Sequence, residues 1–484
     1  MKSRIDVCKG RLLLSSTLLL GVLLIGSVRA AEPPNFVLVM SDDQGWGDMG
    51  YYGRPRLQTP NFDALAREGL RFDGFHSAAP VCSPTRGSVL TGRTPNRYGC
   101  FQWGYPIRPQ ELTIAEALKQ AGYRTGHFGK WHLGSVQAAS PVSPGASGFD
   151  VWASSPNYFD LDPILSEGGK AVPHQGDSSD VTVDVALKFI RASVAEKQRF
   201  LAVVWFGSPH DPHEPLEADR LPYAGMPKAQ QNYLGELTAM DRAFGRLRNE
   251  IRELGIRDNT VLLFSSDNGA LPAVGSSGGR RGAKGKVYEG GLLVPALLEW
   301  PERVKAPRTV KTPCVTSDIF PTVLELAGVK VDPTRPLDGV SLVPLIEGRT
   351  ETRPKPIGFW DYPTAGLLVP AKKWMEELYA SQSAGKEPDD PERLHADAAE
   401  IHKPFPLDRF PGHSAWLDGS WKFHRIENPK DGKLTYELYN LDADPREAND
   451  LLAKEPERSA AMQAALEEWL RSVARSQNGE DYRG

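Results

Sequence analysis

The most regular feature of the sequence is a set of short runs that are apolar at almost every position. Residues 35–40, 200–206 and 260–264 are rich in Val, Leu and Phe, and they lack an alternation of apolar and polar residues. This pattern is typical of a strand that is buried on both faces, as strands of a parallel sheet are. The three runs therefore predict buried strands of a mostly parallel sheet.

Helical patterns lie between these strands. Thr113 and Glu116 form a capping box at the start of a short segment with an apolar face, and Gly122 ends that segment. A longer helix is predicted over residues 229–254, where apolar residues recur every three or four positions. Strands that alternate with helices indicate an α/β fold, with helices on both sides of a large, mostly parallel sheet.

The pattern changes towards the C-terminal end of the chain. Residues 421–426 and 434–441 are predicted to form antiparallel strands around a turn at 428–432, and a helix is predicted over 455–474. We therefore expect a large N-terminal domain over residues 31–350 and a small α+β subdomain over residues 351–484.

Residues 1–30 have the three parts of a secretory signal peptide. Basic residues precede an apolar stretch over 12–26, and Val28-Arg29-Ala30 places small residues at a cleavage site after Ala30. The alternative is an uncleaved membrane anchor, although the apolar stretch is short for a full span. No later segment is apolar for long enough to cross a bilayer. We expect an exported protein, periplasmic or secreted, with no membrane span in the mature chain.

The charge composition argues against one class of binding partner, nucleic acid. The 484 residues include 57 Lys and Arg against 61 Asp and Glu, for a net charge of −4. A protein that binds nucleic acid typically has a basic excess, so no nucleic-acid partner is expected. The four cysteines are too few for a disulfide scaffold.

Polar residues follow each of the three apolar runs. Asp42 and Asp43 come after the first, His210 after the second, and Asp267 and Asn268 after the third. Ligands of open α/β sheets bind at the carboxyl ends of the strands, so these side chains are expected to converge. Carboxylate and amide oxygens are hard ligands that suit Ca²⁺ or Mg²⁺. Each pair alone could be a solvated turn, but two pairs at equivalent strand ends favour a metal site.

The segment around Cys82 carries a second candidate chemistry. Ser83 is a favourable N-cap and Pro84 a favourable first helical residue, which predicts a helix that starts directly after Cys82. Arg86, four residues on, can lie on the same side as Cys82 and add a positive charge. A cysteine in that position is expected to be a nucleophile with a low pKa. The alternatives are a structural thiol or one half of a disulfide.

The motif Cys82-x-Pro84-x-Arg86, continuing through Gly92 and Arg93, resembles the maturation signature of the type I sulfatases in the alkaline-phosphatase-like superfamily. Further segments resemble that family and follow its order along the chain. They are Asp42-Asp43-Gln44-Gly45, Gly129-Lys130-Trp131-His132-Leu133-Gly134, Ser208-Pro209-His210, Ser266-Asp267-Asn268-Gly269, Gly282-Ala283-Lys284-Gly285 and Tyr288-Glu289-Gly290-Gly291. One such segment could occur by chance, but the set makes the resemblance specific.

The resemblance implies a modified residue and a metal. In the family the signature cysteine is oxidised to Cα-formylglycine by a maturation enzyme, and the hydrated aldehyde is the nucleophile. Asp42, Asp43, Asp267 and Asn268 would then hold one Ca²⁺, or Mg²⁺, with the modified Cys82 also in contact. The other two mature cysteines, Cys100 and Cys314, could then pair or remain buried thiols.

The resemblance also implies roles for charged residues. Arg86, Lys130 and Lys284 would surround the sulfate, and with His210 the two lysines would bind substrate. His210, helped by Lys284, would protonate the leaving alcohol, and His132 would take a proton from the second hydroxyl of the hydrate. Lys130 and His132 are two apart, so on a strand they would share one face. Taken singly, these lysines could instead form surface salt bridges, and His132 could be a core residue.

Substrate class is inferred from the expected export. An exported enzyme meets oligosaccharides and polysaccharides, which favours a sulfated carbohydrate over a small aryl sulfate. The nearest enzymatic alternative is a phosphate or phosphonate ester hydrolase of the same superfamily. Those relatives often have a His where this chain has Asn268, which favours sulfate. A catalytically silent protein that binds sulfated glycans is disfavoured, because every residue that the mechanism needs is present.

Overall fold

Secondary structure follows the apolar pattern of the sequence closely. The computed structural model describes residues 32–330, 335–401 and 404–482, so the predicted signal peptide lies outside the described residues. The strands are β1 (Asn35–Ser41), β2 (Leu70–Phe72), β3 (Phe75–His76), β4 (Arg124–Lys130), β5 (Val151–Ser155), β6 (Ile164–Glu167), β7 (Lys170–Pro173), β8 (Phe200–Trp205), β9 (Thr260–Ser266), β10 (Ala296–Glu299), β11 (Arg308–Val310), β12 (Cys314–Val315), β13 (Ile357–Asp361), β14 (Gly412–Asp418), β15 (Trp421–Glu427) and β16 (Leu434–Asn440).

Helices occupy the segments between the strands. The α-helices are α1 (Pro60–Glu68), α2 (Cys82–Thr91), α3 (Ile114–Gln120), α4 (Ser178–Ala195), α5 (Glu217–Arg220), α6 (Lys228–Glu253), α7 (Glu289–Leu292), α8 (Ile319–Ala327), α9 (Val343–Ile346), α10 (Ala371–Ser383), α11 (Pro391–Leu394) and α12 (Pro456–Gln477). Short 3₁₀ helices lie at Gly50–Tyr52, Pro95–Tyr98, Leu221–Tyr223, Thr316–Asp318 and Glu480–Tyr482. The predicted capping box at Thr113 and Glu116 starts α3.

A large sheet organises the N-terminal part of the chain. Its strand order is β11-β2-β10-β9-β1-β8-β4-β5-β6-β7. The central strand β1 is parallel to both β8 and β9, and β4 is parallel to β8 and β5. Antiparallel pairs occur only towards the two edges of this sheet, at β10 and β2 on one side and at β6 and β7 on the other. The predicted α/β fold with a mostly parallel sheet is confirmed.

The two faces of β1 contribute to two hydrophobic cores. Phe36, Leu38 and Met40 belong to one core, with residues of α2, α3 and α8. Val37 and Val39 point the other way and pack with residues of α1, α4 and α6. Because side chains alternate along a strand, a run that is apolar at every position buries both faces of the sheet under helices.

A second, smaller sheet lies in the C-terminal part. Strands β13, β14, β15 and β16 form it in sequence order with antiparallel pairing, and α12 packs against it. Both predicted strands, β15 and β16, are present, and the structure adds β13 and β14. The division of the chain at residue 350 remains a prediction. No helix among the described residues has the length and apolar character needed to span a bilayer.

Candidate active site

Neighbouring strand ends bring the four predicted metal ligands together. Asp42 and Asp43 follow β1, and Asp267 and Asn268 follow the adjacent β9. The backbone N–H of Asp267 donates to Ser41 O at 3.1 Å, and that of Asp43 donates to Asp267 Oδ1 at 3.0 Å. All four ligand side chains are fully buried. Parallel register between β1 and β9 therefore places both pairs at one edge of the sheet, as predicted.

Cys82 lies at the start of α2 and faces this cluster. Its Sγ is 3.6 Å from Asp42 Oδ1 and 3.9 Å from Asp43 Oδ1. The helix begins at Cys82 itself, one residue earlier than predicted, with Val81 as N-cap. The predicted N-cap role of Ser83 is wrong: its Oγ accepts a hydrogen bond from the backbone N–H of Gly104 at 2.8 Å, which ties the neighbouring loop to the helix.

The predicted low pKa of the Cys82 thiol is also wrong. Burial raises this pKa well above its ordinary value, and the nearby lysines only partly oppose the effect. The thiolate is the nucleophilic form of a cysteine. An unmodified Cys82 is therefore a poor nucleophile in this environment.

Two lysines form ion pairs with the two aspartates that follow β1. Lys130 Nζ donates to Asp42 Oδ2 at 2.6 Å, and Lys284 Nζ donates to Asp43 Oδ2 at 2.7 Å. Lys130 is fully buried, whereas the Lys284 side chain is 20% exposed. Although burial alone would raise the pKa of Asp43, Lys284 and other cations hold it well below its usual value. Lys284 is thus the lysine of this pair that solvent can reach.

Arg86 holds the third carboxylate. Its Nε and Nη2 donate to Asp267 Oδ2 at 3.1 and 2.7 Å, and its Nη1 donates to the carbonyl oxygen of Lys130 at 3.0 Å. The guanidinium lies over the Trp205 ring, 5.2 Å from its centre. Burial and the neighbouring Asp42 raise the pKa of Asp267 to about 7 even so. The buried carboxylates therefore repel one another, and additional positive charge beside them would stabilise their ionised forms.

His132 lies buried just after β4. Strand β4 ends at Lys130, and His132 has a positive φ of 53°, so the predicted shared strand face with Lys130 is wrong. Neither Nδ1 nor Nε2 has a hydrogen-bond partner among the described residues. Burial, with Lys130 and Arg86 nearby, keeps the pKa of His132 well below its ordinary value. His132 is thus a neutral imidazole in this environment.

His210 lies on the turn after β8. Its Nε2 is 3.6 Å from Asp43 Oδ2, and its side chain is 16% exposed. The ring stacks on Tyr158 with 4.4 Å between ring centres and an angle of 11°. Burial lowers the pKa of His210 to about 4, with Asp43 acting in the opposite direction. Sequence reasoning missed Tyr158, for which the only signal is an aromatic residue shortly after β5.

Glycines allow the segment that carries Lys284 to pack closely. The backbone N–H of Lys284 donates to Ala270 O, and that of Gly285 donates to Pro80 O, each at 2.9 Å. A Cβ on Gly291 would lie 2.1 Å from Lys286 O, a distance no side chain tolerates. The glycine-rich sequence therefore fixes the loop from which Lys284 reaches the cluster.

The donor set suits a divalent cation. Ligand atoms of Asp42, Asp43, Cys82 and Asp267 all lie within 4.8 Å of one another. Asn268 Nδ2 donates to Asp43 Oδ1 at 2.8 Å, while Asn268 Oδ1 is buried and accepts no hydrogen bond within the described chain. Buried carboxylates with an unpartnered amide oxygen fit a hard cation such as Ca²⁺ or Mg²⁺.

Two further cysteines of the described residues lie outside the site. Cys100 and Cys314 are buried free thiols. The Sγ of each donates to a nearby backbone carbonyl at 3.4 Å, that of Tyr105 or Thr312 respectively. Cys100 and Cys314 are therefore not joined by a disulfide in the structure.

All the site residues fall within one region of similarity to known proteins. A sequence profile described as Sulfatase matches residues 34–329. The chain belongs to the sulfatase family. This confirms the membership predicted from the motifs and makes the protein a sulfatase enzyme, within the alkaline-phosphatase-like superfamily.

Individual relatives agree with this assignment. The sulfatase is 34% identical to the N-acetylgalactosamine-6-sulfatase of Canis lupus familiaris, over 68% of this chain and 69% of the relative. It is 31% identical to the arylsulfatase A of Homo sapiens, over 82% of this chain and 85% of the relative. Its fold matches that of Ps i-CgsB in complex with k-i-k-neocarrahexaose, with a TM-score of 0.76 at 23% identity, over 93% of this chain and 97% of the other.

Proposed function

We propose that this sulfatase removes sulfate from a sulfated carbohydrate outside the cytoplasm, with Cys82 oxidised to Cα-formylglycine and Ca²⁺ bound beside it. The observation that carries the proposal is the convergence of Asp42 Oδ1 and Asp43 Oδ1 on Cys82 Sγ, at 3.6 and 3.9 Å. Residue 82 would therefore lie directly against the metal ligands.

The metal would be held by Asp42, Asp43, Asp267, Asn268 and residue 82, and Mg²⁺ would suit the same oxygen ligands. A bound divalent cation supplies positive charge that stabilises sulfate oxygens as charge develops on them. One oxygen of each aspartate accepts a hydrogen bond from a lysine or an arginine. These bonds hold the carboxylates in place before the cation binds.

Oxidation of Cys82 by a maturation enzyme is supported by its surroundings. Because burial raises the pKa of the thiol, the unmodified side chain is a poor nucleophile. The hydrated aldehyde would supply one hydroxyl that attacks sulfur and displaces the alcohol. Loss of the proton from its second hydroxyl would then reform the aldehyde as sulfate leaves the carbon.

Charged side chains would bind and polarise the sulfate. Arg86, Lys130 and Lys284 surround the cluster, and their fixed positions allow them to stabilise the transition state without rearrangement. Of the three, Lys284 is partly exposed, so it would meet the incoming substrate first. Lys130, Lys284 and His210 would form the substrate-binding side of the site.

The two histidines would transfer protons in different steps of the reaction. His210 is partly exposed, lies on Tyr158 and would protonate the leaving alcohol. The negative charge of a sulfate ester beside His210 would raise its pKa and favour the protonated form. His132, whose ring nitrogens have no hydrogen-bond partner among the described residues, would accept the proton from the second hydroxyl of the hydrate.

A sulfated sugar is the substrate class that we favour. The expected export of the chain would bring it into contact with glycans, and one relative is named for its action on a sulfated amino sugar. Aryl sulfates would serve as artificial substrates.

The test is a panel of sulfated mono- and disaccharides, nitrophenyl sulfate, nitrophenyl phosphate and a phosphonate ester, assayed with protein made alongside a maturation enzyme. We expect release of sulfate from at least one sugar, with kcat/KM for sulfate esters well above that for phosphorus esters. A preference for phosphorus esters would contradict the proposal, as would binding of sulfated sugars without turnover.

A further inference from the structure

Arg280 stacks on Trp46. Its guanidinium carbon lies 3.6 Å from the centre of the indole ring. Trp46 is itself held in place, because its indole stacks on Tyr52 with 3.6 Å between ring centres. Gly278, at a φ of +65°, leaves room for this stack, since a Cβ there would lie 2.8 Å from the indole. The guanidinium is therefore held against a fixed indole.

The two loops that form this stack also carry active-site residues. Trp46 comes three residues after the metal-ligand candidate Asp43, and Arg280 comes four residues before Lys284. The Gly47 backbone N–H donates to Ser276 O at 2.8 Å, which joins the two loops directly. Arg280 is partly exposed, as Lys284 is. Arg280 thus lies on a partly exposed loop that carries Lys284 and is hydrogen-bonded to the loop after Asp43.

Most of the hydrogen-bonding capacity of Arg280 is unused. Within the described part of the chain the only hydrogen bond of its side chain runs from Nη1 to Ser277 O, at 3.4 Å, and no carboxylate lies within ion-pair distance. Burial lowers the pKa of the Arg280 guanidinium. The adjacent Arg281 differs, because its Nη1 lies 3.1 Å from Glu437 Oε2 and its charge is already paired.

A planar guanidinium with free N–H donors is suited to bidentate binding of a carboxylate or a sulfate. Its orientation is set by stacking, so little side-chain entropy is lost when an anion binds. A single sulfate ester already has cationic partners in Arg86, Lys130 and Lys284. Arg280 is a further, partly exposed cation on the loop that carries Lys284, beyond what one sulfate requires.

We propose that Arg280 binds a second anionic group of the substrate, a carboxylate or another sulfate, next to the sulfate that is removed. This inference rests on the proposed action on sulfated sugars and narrows it to sugars that carry more than one negative charge. Arg280 is a specificity residue in this account and takes no part in bond breaking.

Calorimetric binding to the full chain with Cys82→Ala tests the proposal, because the ligands are then not consumed. One arm compares a monosulfated disaccharide that contains a uronic acid with its uncharged methyl ester. The other arm compares a disulfated disaccharide with its monosulfated counterpart. We expect the additional anion to tighten binding about tenfold in at least one arm, and the arm that responds identifies the anion.

In the Arg280→Gln variant this gain should fall to within about twofold. Arg280→Lys should keep part of it, since the charge remains but the planar fork is lost. Arg281→Gln, the matched control one residue away, should keep the whole gain. A gain that survives Arg280→Gln would overturn the proposal, and so would the lack of any gain in both arms. Turnover of nitrophenyl sulfate by the maturated parent protein tests the proposed function separately.

Discussion

Lys130 Nζ lies 2.6 Å from Asp42 Oδ2, and both side chains are fully buried. The other oxygen of Asp42 faces Cys82 Sγ. Asp43 repeats the arrangement, with Lys284 on Oδ2 and Cys82 near Oδ1. Each lysine therefore fixes one oxygen of a carboxylate and directs the other towards residue 82.

Removal of the metal should destabilise the protein and abolish activity. Chelation should stop sulfate release, and added Ca²⁺ or Mg²⁺ should restore it, because the buried oxygens lose their counter-charge when the cation leaves. At a Ca²⁺ concentration of about 100 times Kd, the folded state gains about 2.7 kcal/mol. Thermal unfolding with and without Ca²⁺ measures that gain independently of catalysis.

Asp267→Ala should lose both the stabilisation by Ca²⁺ and the activity, without restoration by added cation. Asp258→Ala, which changes an exposed aspartate outside the site, should behave like the parent protein. Full activity of protein that elemental analysis finds free of metal would contradict the site.

His210→Ala should separate substrates by their leaving groups. A sugar alkoxide needs a proton in the transition state, and a general acid contributes about 100- to 10,000-fold to such a step. A nitrophenolate leaves with little help. We therefore expect a much larger fall in kcat/KM for a sugar sulfate than for nitrophenyl sulfate.

The control is His174→Ala, a partly exposed histidine paired with Glu167 outside the site. It should leave both substrates unaffected. Equal losses on the two substrates in the His210 variant would mean that His210 binds sulfate and does not donate the proton.

Lys422 should be essential for stability. It is fully buried in the C-terminal sheet, with Nζ 2.8 Å from Glu289 Oε1 and 3.3 Å from Glu447 Oε1. Lys422→Met leaves these buried carboxylates without their cation, which should cost about 3–5 kcal/mol of unfolding free energy. Chemical denaturation measures the difference.

Lys373→Met removes a lysine that is 69% exposed and should change the unfolding free energy by less than about 0.5 kcal/mol. An equally small change for Lys422→Met would show that the buried ion pairs contribute little. Because Glu289 begins α7, directly after the segment that carries Lys284, this prediction also concerns how the C-terminal sheet supports the active site.

The convergence of the site could be predicted from sequence because it depends only on strand ends. Asp42 and Asp267 follow continuous apolar runs, and parallel pairing necessarily brings such ends together. The pairing of each carboxylate with a particular cation could not be predicted, because it depends on side-chain directions on separate elements. Tyr158 under His210 is a further contact of this kind.

Local predictions were wrong where tertiary contacts outweigh propensity. Ser83 has the chemistry of an N-cap, but its hydroxyl binds Gly104 and the helix begins at Cys82. The spacing of Lys130 and His132 fits one strand face, but the chain leaves the strand between them. The Cys82 thiol lies at a helix start, yet complete burial determines its pKa.

The dependence of activity on residue 82 tests the central claim most directly. Protein produced with graded amounts of a maturation enzyme would be analysed by peptide mass spectrometry for the fraction of Cys82 converted to the aldehyde, and by sulfate release for its rate. We predict a rate proportional to the converted fraction, with none at zero conversion. Full activity in protein whose Cys82 is unmodified and freely alkylated would contradict the account.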